Sequence, residues 1–349
     1  MRWLAKCILV GVKVDQASPA EANRDAIDAQ LAEADLAGTF PEGFYATTNF
    51  PTEVRVGGAW LPVRRIEMDV GIRIRAGVAE GVPMHAVQTG DRIVVGEEGV
   101  RVLIPVVAEA GSEAFRFMSS GVSTERPKAR LVAEVALAMR AARAAGGKIL
   151  FVGGPAIVHS GSAPVLERLV RAGWIDVLFA GNALAAHDIE AAMFGTSLGI
   201  DLARGANVPH GHQHHLRAIN RVRRAGSIAE AVRQGLFTRG VMHACVEKSV
   251  PFVLAGSIRD DGPLPDVISD AVAAADAMRE HVQGVSVAII VATTLHGIAT
   301  GNMLPAAVAT FCVDTGADTV IKLVDRGTHQ AVGIVTDCEY FLSELERGL

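Results

Sequence analysis

The stretch Ser286-Val-Ala-Ile-Ile-Val-Ala-Thr-Thr-Leu-His296-Gly-Ile-Ala-Thr-Gly-Asn302-Met-Leu-Pro305 decides how the rest of the chain is read. The apolar, β-branched run from Val285 to Val291 is too short for an ordinary helix and reads as a buried strand of a parallel sheet. Thr293, Thr294 and His296 follow at once, where that strand should end. In open α/β sheets ligands sit in the crevice outside the carboxyl ends of the strands, so these hydroxyls and this imidazole stand where a ligand would be met. On position alone, a threonine-rich helix cap with a satisfied histidine fits the same residues equally well.

Outward from that strand the chain alternates. On the N-terminal side, Pro127 to Ala145 reads as a long amphipathic helix, Lys148–Gly153 as a strand, Ala163 to Ala172 as a helix and Ile175–Ala180 as a strand. Helix at 227–234, strand at 251–255 and helix at 266–283 continue the series. On the C-terminal side, a helix from Pro305 to Thr310, extending as Ala306 to Cys312, precedes strands at 319–323 and 332–336. Strands separated by helices imply a parallel sheet with helices on both faces. Neither G-x-G-x-x-G nor G-x-x-x-x-G-K-[ST] occurs, so a nucleotide site here is of another kind.

Upstream the texture differs. Short alternating segments at 53–56, 60–63, 66–74, 91–95 and 100–104, separated by glycine-rich turns, predict a small antiparallel barrel or sandwich over residues 43–112. Its arginines (Arg55, Arg64, Arg65, Arg73, Arg75, Arg92, Arg101) read as outer-face charges, with one or two able to reach a carboxylate substrate. Before it, residues 1–42 read as a partial α+β piece: a strand at 7–14, then a helix capped by Ser18 and opened by Pro19, running to about Leu36. Residues 113–349 make up the α/β domain.

The bulk composition narrows the function. The chain has 349 residues, half of them hydrophobic, and a formal net charge of −5, which leaves no footprint for nucleic acid or an anionic membrane. Cys7, Cys245, Cys312 and Cys338 are scattered with no CxxC pair, as expected of buried thiols in a reducing compartment. The apolar N-terminal run is short, carries Lys6 and Lys13, and lacks a clear cleavage site; no stretch reaches the length of a membrane helix. The expectation is a cytoplasmic, soluble protein.

Polar groups recur at the strand ends. Gly181-Asn182-Ala183 offers a carboxamide to an adenine or ribose, or makes a plain Asx-turn. Gly256-Ser-Ile-Arg259-Asp260-Asp261-Gly262 follows a buried strand with paired carboxylates suited to a ribose diol or a substrate ammonium. Asp314 and Asp337 close two further segments. Together with Thr293 and His296, the recurrence argues for a dinucleotide lying across the crevice. The run Pro209-His210-Gly-His212-Gln-His214-His215 lacks zinc spacing and a completing carboxylate, and reads as a loop leading into a helix at 216–224 rather than a metal site. Phe117 to Lys128 is a hydroxyl-rich helix entry that caps the helix or binds an anion. Lys322-Leu-Val-Asp325-Arg326-Gly327 packs charges after a strand, as an ion pair or as a substrate clamp.

Several strings are recognisable together: Phe44-Tyr-Ala-Thr-Thr-Asn49, Phe117-Met-Ser-Ser120, Gly153-Gly-Pro-Ala-Ile-Val-His159, Gly181-Asn-Ala-Leu-Ala-Ala-His-Asp188, Val253-Leu-Ala-Gly-Ser-Ile-Arg-Asp-Asp-Gly-Pro-Leu-Pro265, Thr294-Leu-His296, Gly301-Asn-Met-Leu-Pro305 and Lys322-Leu-Val-Asp-Arg-Gly327. Over residues 40 to 345 the chain resembles the LOR/SDH-region family, named for lysine-oxoglutarate reductase/saccharopine dehydrogenase. That family includes archaeal NAD-dependent ornithine cyclodeaminases and the C-terminal half of cyanobacterial arginine dihydrolase/ornithine cyclodeaminases. The resemblance implies a Rossmann-like, deoxyhypusine synthase-like NAD domain beside a small β-barrel. It also implies NAD contacts at Asn182, Ala183, Asp261, Thr293, Thr294, Leu295, His296, Asp314 and Asp337. The leading domain is expected to be partial, and without a guanidine-hydrolase domain no arginine hydrolysis is expected.

The implied chemistry is redox-neutral: hydride leaves the α-carbon of ornithine, the terminal amine closes on that carbon, ammonia departs, and the hydride returns to give proline. Candidates are Arg259 or Arg116 for the carboxylate, Asp260 for an ammonium, and His296 or Lys322 for the proton, with the Phe44–Asn49 string as part of the wall. Enclosure of the cofactor favours a homo-oligomer or a site where domains meet. A relative acting on lysine or another diamino acid, an aminoalkyl transferase and a non-catalytic NAD sensor are the alternatives.

Overall fold

The computed structural model describes residues 27–103, 127–201, 206, 208, 211–260, 262–327 and 331–349. Two compact units divide the chain. One holds the residues up to Ser120 together with Asn302–Ala307; the other holds Gly121–Gly301 and Val308–Leu349.

In the first unit the strands are β1 (Gln30–Glu33), β2 (Thr52–Val56), β3 (Ala59–Arg64), β4 (Gly71–Arg75), β5 (Val78–Val82), β6 (Arg92–Val95) and β7 (Val100–Val102). They form one seven-stranded sheet in the order β1-β6-β4-β5-β3-β2-β7. Its ladders are antiparallel apart from the β3–β5 pair. The sheet curls back on itself, since the Ala29 N–H ahead of β1 donates to the Arg55 carbonyl of β2 at 2.9 Å. Val54, Val63, Ile72, Ile74 and Val94 fill the concave side. Arg73 and Arg75 are tied down across the strands: both pair with Asp91, at 3.1 and 2.8 Å, and Asp91 also accepts the Gln88 N–H at 2.9 Å.

Two expectations fail in this unit. The described part of the helix expected to run to Leu36 holds strand β1 at Gln30–Glu33, because edge pairing with Arg92–Val95 outweighs the helix preference of an alanine-rich segment; the start of that helix and the strand expected at 7–14 lie outside the described residues. The single strand expected over 66–74 begins only at Gly71. Ahead of it Arg65 and Asp69 take left-handed backbone, with φ of 52° and 62°, which interrupts any strand. The Thr47 hydroxyl holds that turn, donating to the Glu67 carbonyl at 2.7 Å.

The second unit begins with α1 (Lys128–Ala144), β8 (Lys148–Gly153), α2 (Ala156–His159), α3 (Ala163–Arg171), β9 (Val177–Gly181) and α4 (Asn182–Phe194). A small hairpin, β10 (Thr196–Ser197) and β11 (Ile200–Asp201), leads to α5 (His214–Ala225), α6 (Ile228–Arg233) and α7 (Val241–Glu247). Then come β12 (Phe252–Ala255), β13 (Val267–Ile268), α8 (Ala271–Val282), β14 (Val285–Val291), α9 (Leu295–Met303), β15 (Ala309–Asp314), α10 (Ala317–Gly327), β16 (Ala331–Val335) and α11 (Cys338–Gly348). The sheet order is β13-β12-β9-β8-β14-β15-β16, every pair parallel. From β12 onward this is the doubly wound dinucleotide order, in which the first strand (β8) and the fourth (β14) lie side by side at the centre. Phe151, Phe179 and Phe341 are fully buried against this sheet.

Downstream of β14 two elements exchange identity. The helix expected over 305–312 is strand β15, and the strand expected at 319–323 lies inside helix α10. Val320 and Leu323 are buried while Ile321 and Lys322 face out, the spacing of a helix face and not of a strand. Among the described residues no helix is long and apolar enough to cross a membrane.

Candidate active site

At the carboxyl ends of the central strands the backbone is packed tightly. Gly154, after β8, donates its N–H to the Val291 carbonyl of β14 at 2.9 Å. A Cβ on Gly154 would stand 1.8 Å from the Ala292 carbonyl oxygen. Only glycine lets the two turns approach so closely. Ala292 itself is left-handed, with φ of 52°, a strained state for alanine that turns the chain into Thr293.

A cavity of about 890 Å³ opens here, within the second unit. Gly153, Gly154, Gly181 and Gly256 present bare backbone to it, and Asn182, Ala183, Thr293, Leu295, His296, Arg259 and Asp260 supply side chains. Its size falls in the range of small-molecule and cofactor sites. Leu198, Ile258 and Leu295 are exposed apolar side chains on its lining, 56%, 107% and 76% accessible. Such faces suit flat, weakly polar rings.

The expected residues divide into those that line the cavity and those that do not. Asn182 opens helix α4, and its Oδ1 accepts the buried Leu264 N–H at 3.0 Å, tying β9 to the loop after β12. His296 packs over Gly181, whose added Cβ would lie 2.8 Å from the ring. Burial holds the His296 imidazole below its usual pKa, with the Asp260 charge opposing. Asp260 folds its own loop by accepting the Ser257 N–H at 2.9 Å.

Thr294, Asp314 and Asp337 are not part of the lining. Asp314 and Asp337 stand at the same sheet edge, where each accepts a backbone N–H at 2.8 Å, from Gly316 and Tyr340 respectively. Lys322 is exposed on α10 and does not line the cavity either, a consequence of that segment being helical. Asp261 and Arg116 lie outside the described residues, as does most of the Phe117–Lys128 entry.

A second group on the wall lies apart from the residues expected to touch NAD or substrate. His159, His187 and His215 line the cavity beside Leu198. His187 Nδ1 is 2.9 Å from Glu190 Oε2, and Glu190 Oε1 accepts from the Thr196 hydroxyl at 2.9 Å. His159 Nδ1 meets Ser197 Oγ at 2.7 Å, and its ring stands edge-on to His187 at 4.8 Å. Burial, then the neighbouring His187, lowers the His159 pKa. His214 is bonded to Thr196 and stacked on Phe194, so this imidazole of the histidine run serves the hairpin. The i, i+3 spacing of His187 and Glu190 was the available signal, since it puts both on one helical face.

The three described cysteines are buried, and burial pushes the thiols of Cys245 and Cys312 up to about 12 and that of Cys338 to about 11. Thiols held protonated in this way are not nucleophiles at neutral pH. Among the described residues no three metal-binding side chains are gathered as a ligand set.

The chain has known relatives. Residues 133–345 match the family described as arginine dihydrolase ArgZ-like, C-terminal, Rossmann fold, and residues 51–132 match its first region. A relative named ornithine cyclodeaminase from Methanothermobacter thermautotrophicus is 50% identical over 317 residues, covering 90% of this chain and 77% of its own. The crystal structure of a conserved LOR/SDH protein from Methanococcus maripaludis superposes with a TM-score of 0.88 at 43% identity, covering 93% of this chain and 98% of that one. AgrE, solved as a ternary complex with ornithine and NAD⁺, is 39% identical with a TM-score of 0.62, over 99% of this chain and 48% of AgrE.

Proposed function

The chain belongs to the ArgZ-like C-terminal family, and from that premise we propose that it is an NAD-dependent ornithine cyclodeaminase, forming L-proline and ammonia from L-ornithine. The observation that carries the reading is the glycine-lined cavity at the switch point, whose wall holds both a dinucleotide-type turn and fixed imidazoles. The residues fit NAD: bare backbone at Gly154 and Gly181 admits a close ligand, and exposed Leu198, Ile258 and Leu295 offer faces to planar rings. Asn182, Ala183, Thr293, Leu295 and His296 would hold it, with Asp261, Thr294, Asp314 and Asp337 as further contacts. When bound, the nicotinamide supplies a hydride acceptor at the α-carbon and gives the hydride back.

The chain's own residues do the rest. Arg259 reaches the substrate carboxylate and Asp260 an ammonium. Burial keeps His296 neutral beside the cavity floor, so it adds no positive charge where a cationic substrate must enter. The apolar lining keeps water from an imine that would otherwise hydrolyse. A subunit contact completing the enclosure belongs to the same reading.

Purified protein with NAD⁺ and L-ornithine should release equal amounts of ammonia and proline with no net accumulation of NADH. Release from lysine but not ornithine would move the substrate to the longer diamino acid. NAD binding without turnover of any basic amino acid would reduce the protein to a sensor and end the proposal.

Asn182→Ala removes the acceptor for the Leu264 N–H and loosens the loop that carries Arg259 and Asp260. Loss of one buried hydrogen bond of about 1.4 kcal/mol should weaken NAD binding about tenfold by fluorescence titration. Unchanged affinity would place the cofactor elsewhere.

A further inference from the structure

We propose that the His187–Glu190 pair is the proton-handling dyad of the cavity, with His187 Nε2 taking a proton from a substrate ammonium and returning it to the nitrogen that departs as ammonia. The inference rests on the proposed reaction and names a residue for a step it requires.

The argument starts from Glu190, which is fully buried. Burial alone would push its carboxyl up, but the bonds from His187 and Thr196 hold it below the usual glutamate range. It is therefore a carboxylate, an acceptor only. Both its oxygens are engaged: Oε2 by His187 at 2.9 Å, and Oε1 by the Thr196 hydroxyl at 2.9 Å, with the Gly199 N–H at 3.5 Å. An acceptor facing Nδ1 places the ring hydrogen on Nδ1, which leaves Nε2 of the neutral ring as a lone pair. His187 is 9% exposed and lines the cavity.

The groups facing His187 are accounted for. His159 of α2 stands edge-on, its pKa lowered and its Nδ1 on Ser197. His215 of α5 lies 5.9 Å away between centroids, Glu190 shares α4, and His214 is reached only through Thr196. The carboxylate is thus the one anion in direct contact among the described residues, and it favours the imidazolium that proton uptake creates. His296, another imidazole on the wall, has no hydrogen-bond partner among the described residues to fix its ring. A base oriented by a buried carboxylate is the better-built acceptor.

The step is balanced. The substrate N–H bond breaks, its electron pair stays on nitrogen as the nucleophile, and the proton passes to Nε2. The same proton later moves from Nε2 to the leaving nitrogen, whose bond to carbon breaks toward nitrogen. No oxidant or further reactant is consumed.

His187→Gln should lower kcat by about 100-fold or more while the KM for ornithine stays within about threefold. NAD titration and thermal melting of the same variant show whether it folds. Glu190→Gln replaces an acceptor-only carboxylate with an amide that no longer fixes the hydrogen on Nδ1, so kcat should fall about tenfold or more while the KM for ornithine stays within about threefold. Histidine ¹⁵N NMR of the wild type, without substrate, should show the Nδ1–H tautomer at His187. A folded His187→Gln variant with kcat near wild type, a folded Glu190→Gln variant with kcat near wild type, or an Nε2–H tautomer would each overturn the dyad. Wild-type protein that turns over no ornithine would overturn the reaction assignment instead, and the tautomer would still judge the dyad.

Discussion

Gly154→Ala is expected to destabilise the second unit by about 3 kcal/mol or more, a drop in Tm on the order of 10 °C. The reason is positional. The new Cβ would sit 1.8 Å from the Ala292 carbonyl oxygen, and the atom in the way is backbone at the end of β14, not a side chain able to swing aside. Relief requires β8 and β14 to part where the Gly154 N–H meets the Val291 carbonyl at 2.9 Å. Both turns line the cavity, so NAD affinity should fall with stability. Thermal unfolding and NAD titration of the variant check the two together. A variant that melts within a degree or two of wild type would show that the strand ends are not locked as described.

Asp188→Ala should cost a similar amount, about 3 kcal/mol. Asp188 is 2% exposed and accepts the N–H groups of Val241 and Met242, at 2.9 and 2.8 Å, at the start of helix α7. Alanine leaves both donors buried and unpaired, at about 1–3 kcal/mol each before relaxation. Gly240, with φ of 104°, lets the turn pass close over the carboxylate, since an added Cβ would lie 2.8 Å from it. The pH dependence follows from the same burial, which pushes the carboxyl from the usual 3.8 to about 7. The unfolded chain gives up this proton near pH 4 and the folded one holds it until about pH 7. The contribution is therefore complete below about pH 4 and is lost as pH rises through about 7. Asp188→Asn cannot titrate, so the stability gap between wild type and this variant should narrow from pH 4.5 to pH 7.5 in urea unfolding. A gap that widens with pH would refute the assignment.

The strands that build the sheet centre were legible because burial on both faces demands unbroken apolar runs. Lys148–Gly153 and Val285–Val291 are delimited in the structure as the runs are in the sequence. Reading failed where composition and periodicity disagree. Ala309–Asp314 follows Pro305, which invites a helix start, yet it pairs with β14 from Val287↔Ala309 to Val291↔Val313. Thr319-Val-Ile321 looks β-branched, yet only every third or fourth residue there is buried. Strand-end candidates such as Asn182, Thr293 and His296 came into view because they directly follow those runs. The His187–Glu190–Thr196 chain did not, because its meaning depends on a hairpin and a helix that bring Ser197 and His215 to the same wall.

The first unit takes in Asn302–Ala307, almost two hundred residues after its last described strand. The Met68 N–H waits for the Asn302 carbonyl at 3.0 Å, and the Ala306 N–H for that of Asn49 at 2.8 Å. During synthesis on the ribosome, these contacts of the first unit therefore form only after residue 306 has emerged. A fragment stopped before residue 302 would lack both of these backbone bonds, so the completeness of the first unit reports on the completeness of the chain that follows it.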